Sequence, residues 1–129
     1  MPDAQHPLKL LIVDDEKEFA LTLATRLELR GFTPSVLFDG ESALERVRGE
    51  HFDLVMLDVM LPGMSGLVIL RRIQEMKPGL PVVLLTGDTS SKDGIEGMKQ
   101  GARACLNKPV ELQELLSLFS EITKENHHA

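Results

Sequence analysis

A single cysteine, Cys105, excludes an internal disulfide, and an unpaired thiol fits a reducing compartment. No run of about eighteen apolar residues occurs, which argues against a membrane-crossing helix. The N-terminal stretch MPDAQHPLK lacks the apolar region of a signal peptide, so a cytoplasmic location is expected. Basic residues are in deficit: 14 Lys and Arg stand against 20 Asp and Glu, a formal net charge of -6. That balance argues against an electrostatic hold on nucleic acid or an anionic membrane, and toward proteins or small anions as partners. Linkers and low-complexity segments are also missing. The 129 residues suffice for one domain, expected over 1–129 with a core at about 8–123.

What is present alternates. Short apolar runs expected as buried strands (8–13, 33–37, 52–57, 80–85 and 103–107) are interleaved with helical patterns at 16–30, 40–48, 66–76, 90–100 and 111–123. Repeated strand–helix units imply an α/β fold on a parallel sheet, whose central strands read as continuous apolar runs such as FDLVML. Phe19, Leu23 and Leu27 mark the buried stripe of the first helix, and Gly31 is its natural stop. Leu112, Leu115, Leu116 and Phe119 mark that of the last. Gly94 and Gly97 each cost roughly 1 kcal/mol relative to alanine, so the fourth helix is expected to be the softest.

Asp14, Asp15, Asp58, Thr86 and Lys108 each stand at the end of one of these runs or directly after it. Parallel strands point one way, so these side chains converge on the edge where such sheets bind ligands. Carboxylates gathered there repel one another unless a cation sits among them, and hard oxygen donors with few protein contacts suit Mg²⁺. Asp58 is a potential carboxylate nucleophile, Lys108 a point charge for an anion, and Gly87 a small neighbour that leaves room beside Thr86.

In order, LLIVDDE, LVMLDVMLPGMSGL, VVLLTGD and LNKPV resemble the receiver domain of bacterial response regulators, over most of the chain from Leu8 to Thr123. The resemblance implies a flavodoxin-like, doubly wound five-stranded sheet of order 2-1-3-4-5 with five helices. It implies that Asp58 accepts a phosphoryl group from a sensor histidine kinase or phosphotransfer protein, and that the chain is a signalling domain rather than an enzyme. Asp15, Asp58 and the Met60 carbonyl would ligate Mg²⁺, Asp14 would act through a bound water, and Thr86 and Lys108 would hold phosphoryl oxygens. The output would pass to a downstream protein or an attached domain, from a stand-alone regulator or from part of a longer one.

Each residue also has a simpler reading. Asp14 and Asp15 suit a helix N-cap and first turn, Asp58 a turn, Thr86 a cap and Lys108 a solvated charge. Met56, Met60, Met64 and Met98 suit core and loop packing better than a copper site, and His6, His51, His127 and His128 show no ligand spacing and are expected on the surface. Asp88 lies near the expected path of attacking water, with the N-cap of the fourth helix as the alternative. A small Mg²⁺-dependent phosphatase with an aspartate nucleophile is the competing function, although Met60 stands where its second acid belongs. Two positions depart from the receiver pattern: Cys105 replaces the usual aromatic of the last strand, and Val110 the usual Phe after the Lys-Pro pair. With no ring at Cys105 to rotate, the signal is expected to leave through the fourth helix.

Overall fold

The computed structural model describes residues 8–127, with side chains for 8–124; His6 and His128, and the side chain of His127, lie outside the described residues. Five strands alternate with five helices: β1 (Lys9–Val13), α1 (Lys17–Glu28), β2 (Thr33–Leu37), α2 (Gly40–Gly49), β3 (Leu54–Asp58), α3 (Gly66–Met76), β4 (Val82–Thr86), α4 (Lys92–Lys99), β5 (Ala104–Asn107) and α5 (Leu112–His127). All pairings are parallel, in the expected order β2-β1-β3-β4-β5. The central strands β3 and β4 are buried along their whole length, because helices cover both faces. Pro34 has no N–H to donate, and it sits in β2, which pairs on one side only.

Alternation along the strands divides the core into two layers. Leu10, Ile12, Met56, Val83 and Leu85 face α1 and α5, whereas Leu11, Val13, Val55, Leu57 and Leu84 face the side of α2 and α3. On the first side Phe32 meets Phe119 edge to face at 5.1 Å. The buried stripe of α5 is Leu115, Leu118, Phe119 and Ile122, and the expected Leu112 and Leu116 pack half-buried against the same core. In α1 the stripe is Ala20, Leu23, Ala24 and Leu27; Phe19 is half-buried and turns toward the C-terminal edge of the sheet. Gly31 ends that segment as expected, at φ 92°, with Phe32 N–H donating to Leu27 O and Gly31 N–H to Glu28 O, the two bonds of a Schellman turn.

The fourth helix is held differently from the sequence expectation. Its buried residues are Gly94 and Gly97, while Ile95 and Met98 stay about half exposed. A Cβ on Gly97 would lie 2.2 Å from Leu84 Cδ1, and one on Gly94 3.4 Å from Cys105 Sγ. These glycines are therefore close-packing positions as well as weak helix formers. The helix begins at Lys92, later than expected, because Ser91 caps it by accepting from Gly94 N–H. Asp88 is not the cap: its carboxylate accepts from the Ser90 N–H and hydroxyl, which hold it below the usual carboxylate range.

Candidate functional site

The C-terminal ends of β1, β3, β4 and β5 bring Asp14, Asp58, Thr86 and Lys108 to one edge, as their sequence positions required. Asp58 and Lys108 line a cleft of about 530 Å³ together with Asp15, Glu16, Phe19, Met60, Gly87 and Pro109, while Asp14 and Thr86 are not among its lining residues. Asp14 is fully buried, and Asp58 and Thr86 nearly so. A Cβ on Gly87 would meet nothing within 4 Å, so the room expected beside Thr86 exists. A second cavity, of about 200 Å³, lies at the opposite end of the sheet against Leu8, Phe32 and Phe119 and touches none of these residues.

Each side chain is oriented by local bonds. Asp14 Oδ1 accepts from Glu16 N–H at 2.9 Å, and Asp58 Oδ1 from Met60 N–H at 2.9 Å. The Thr86 hydroxyl donates to Asp88 O at 3.3 Å and accepts from Asp88 N–H at 3.2 Å. Lys108 N–H donates to Thr86 O at 2.8 Å, and Asn107 Oδ1 accepts from Thr89 N–H at 2.9 Å, so the end of β5 carries the β4–α4 loop. Gly66 permits a close approach of backbone to backbone: a Cβ there would stand 2.6 Å from Val59 Cα and 2.7 Å from Asp58 O.

The Lys108 ammonium occupies the middle of the acids. It lies 2.5 Å from Glu16 Oε1, 2.7 Å from Asp14 Oδ2 and 3.2 Å from Asp58 Oδ2, and 4.9 Å from the centre of the Phe19 ring. Burial opposes its charge, but the surrounding carboxylates of Asp14, Glu16 and Asp58 outweigh burial and push its pKa up. Burial raises the Asp14 carboxyl, with a further push from the Asp58 charge, although Lys108 and the Glu16 N–H pull the other way.

Carboxylate oxygens of Asp14, Glu16 and Asp58 lie within 4.8 Å of one another. Asp14 Oδ2 is buried and has only the lysine ion pair, without an aligned hydrogen bond. Hard donors with an underused buried oxygen fit a divalent cation. Asp15 is exposed on the cleft wall, and its carboxylate stands outside that tight group; Met60, also exposed, lines the cleft mouth. Glu16 and Phe19 are the site residues that the strand-end reasoning missed. The third acid of the DDE run was the available signal for Glu16. Met56 lies in the core and Met98 is about half exposed, and His51 is exposed beside Asp53 at 3.1 Å.

Residues 10–120 match the response regulator receiver domain. The chain belongs to that family. The receiver is 38% identical over 117 residues to the uncharacterized transcriptional regulatory protein YkoG of Bacillus subtilis, covering 91% of this chain and 51% of the relative. It thus spans about half the length of the curated relatives it matches. A CheY-like receiver domain protein from Methanospirillum hungatei superposes with a TM-score of 0.88 at 26% identity, over 95% of this chain and 99% of the other. A Burkholderia pseudomallei response regulator, solved with a phosphorylated aspartic acid, calcium ion and citrate, matches with a TM-score of 0.80 at 29% identity, over 92% of this chain and 72% of the other. The receiver is thus a two-component signalling module, and the phosphatase reading is not favoured. Among the described residues no helix is long and apolar enough to cross a membrane.

Proposed function

We propose that Asp58 is the phosphoacceptor, taking a phosphoryl group from a phosphohistidine on a sensor kinase or phosphotransfer protein. A carboxylate oxygen of Asp58 attacks phosphorus; the new O–P bond forms as the N–P bond breaks, and the leaving imidazole takes a proton. The observation that carries this reading is Asp58 itself, buried at the end of β3 yet lining the cleft, with Lys108 3.2 Å from its carboxylate. Lys108 neutralises charge on the transferring group, and Thr86, whose present bonds to Asp88 are long, turns its hydroxyl to a phosphoryl oxygen. In this way the chain assists its own phosphorylation and its own dephosphorylation.

Asp15, Asp58 and the Met60 carbonyl would hold Mg²⁺, with Asp14 acting through a water. When bound, Mg²⁺ neutralises the charge shared by the carboxylates and the phosphoryl oxygens. The phosphorylated form then reports to a downstream protein or to an output domain. The Burkholderia neighbour, with its phosphorylated aspartic acid and calcium ion, supports both assignments.

Asp58→Asn tests the assignment. The amide is nearly isosteric and cannot attack phosphorus, so labelling by acetyl phosphate should vanish while the circular dichroism spectrum is kept. Undiminished labelling of a folded variant would move the phosphoacceptor elsewhere.

A further inference from the structure

An ammonium has three N–H donors and no acceptor. Three carboxylates crowd that of Lys108, with hydrogen bonds to Glu16 and Asp58 and an ion pair to Asp14, so an oxyanion that arrives on Asp58 competes with them for it. They are not equally displaceable. Asp14 is fully buried, and without Lys108 its Oδ2 would be an uncompensated buried charge. Asp58 is the group that receives the oxyanion. Glu16 keeps 63% of its side chain exposed, so water replaces the lysine there at little cost.

The backbone around Glu16 suits this role. Glu16 occupies the N-cap position of α1, but its side chain makes no capping bond and reaches instead toward Lys108. Its own N–H is fixed by Asp14 Oδ1, which sets the point from which it reaches. At the other end, the Lys108 backbone is tied to Thr86 O.

We propose that Glu16 is a displaceable latch on Lys108: it holds the ammonium in the cleft while Asp58 is unmodified and gives way to the oxyanion on Asp58. Glu16 is thus a positioning residue, acting through Lys108. The latch rests on the reading of Asp58 as phosphoacceptor.

Beryllofluoride, a phosphoryl mimic, tests it when titrated at saturating Mg²⁺ and followed by amide chemical shifts in native protein, Glu16→Gln, Glu16→Asp and Asp58→Asn. An exposed ion pair contributes little, so Glu16→Gln should bind the mimic about 1.5- to 5-fold tighter at low salt. That advantage should shrink as salt screens the latch in the native protein. Glu16→Asp, one methylene short of the lysine, should behave like Glu16→Gln although it keeps the charge. Equal or weaker binding by Glu16→Gln would overturn the latch. So would native-like binding with a weakened Mg²⁺ affinity in a separate titration, which would make Glu16 a metal ligand. Failure of the native protein to bind the mimic, or equal binding by Asp58→Asn, would remove the phosphoacceptor and the latch together. Binding lost in Asp58→Asn but unchanged in Glu16→Gln would remove the latch alone.

Discussion

Asp14 Oδ2 lies 2.7 Å from Lys108 Nζ, joining the fully buried carboxylate of the site to its ammonium. The pair is unbalanced. Lys108 is shared among three acids, so each carboxylate receives only part of its charge, and Asp14, fully buried, is left the least satisfied.

That imbalance sets the response to metal. The Asp14 pKa is raised by folding, so its contribution to stability is favourable below the unfolded value of 3.8 and is lost as pH rises through the folded value. Above the folded value the ionised group therefore destabilises the metal-free fold relative to a neutral one. Asp14→Asn should raise the melting temperature in Mg²⁺-free buffer and gain less from added Mg²⁺ than the native protein. Asp15→Ala removes an exposed charge, so metal-free stability should stay within about 0.5 kcal/mol while the Mg²⁺ response falls. A native-sized Mg²⁺ response in both variants, measured by thermal melts, would place the metal away from these acids.

Removing the cation instead should be severe. Lys108→Met leaves Asp14 buried beside Asp58 with no neutralising charge, a loss of about 3 kcal/mol at pH 7 in urea unfolding. The deficit should shrink on acidification, as Asp14 takes up a proton. Adding Asp14→Asn to Lys108→Met should recover much of the loss, because the two changes remove one interaction. Strict additivity would mean that Lys108 stabilises the fold through contacts other than Asp14.

Much of this site was legible because strand ends in a parallel sheet share one edge. Asp14, Asp58, Thr86 and Lys108 needed only correctly assigned strands to be brought together. Glu16 was legible only as the third acid of the DDE run, because it lies three residues past the end of β1 and its carboxylate reaches back to Lys108 in a way that no spacing encodes. Asp88 and Ser91 illustrate a second limit: both suit an N-cap, and the choice was made by how far the loop bonded to Thr86 and Asn107 runs before α4 starts. Gly94 and Gly97 read as helix weakeners, whereas their closeness to Cys105 and Leu84 exists only once β4 and β5 lie beneath them.

The glycine contacts separate by substitution. Gly97→Ala gains about 1 kcal/mol of helix propensity but forces a methyl against the fully buried Leu84, an overpacking cost of about 1–3 kcal/mol, so a net loss is expected. Gly66→Ala should lose more, because its methyl meets the backbone of Asp58 and Val59, which yields less readily than a side-chain end. It should also slow labelling of Asp58 by acetyl phosphate. Gly49→Ala, with open space around its Cβ at the end of α2, should be neutral or slightly stabilising. Chemical unfolding that ranked Gly49→Ala as the most damaging would contradict these contacts.

The route of the signal follows from how weakly α4 is anchored. The helix buries two glycines, and the loop before it depends on two long bonds between Thr86 and Asp88 and on the Asn107 clip to Thr89. If the Thr86 hydroxyl turns to a phosphoryl oxygen, both bonds to Asp88 are given up, and the loop loses its hold on β4. Cys105 is a half-buried thiol with no ring to swing, so β5 offers little surface for a compensating movement. Segments with few buried side chains open at the least free energy, which places the rearrangement in 88–101. Hydrogen exchange with and without beryllofluoride should therefore change more over 88–101 than over 103–123, and α4 should exchange fastest of the helices before the mimic is added. Equal changes in the two segments, or a change confined to 103–123, would show that the signal still leaves through the last strand despite the missing aromatic ring.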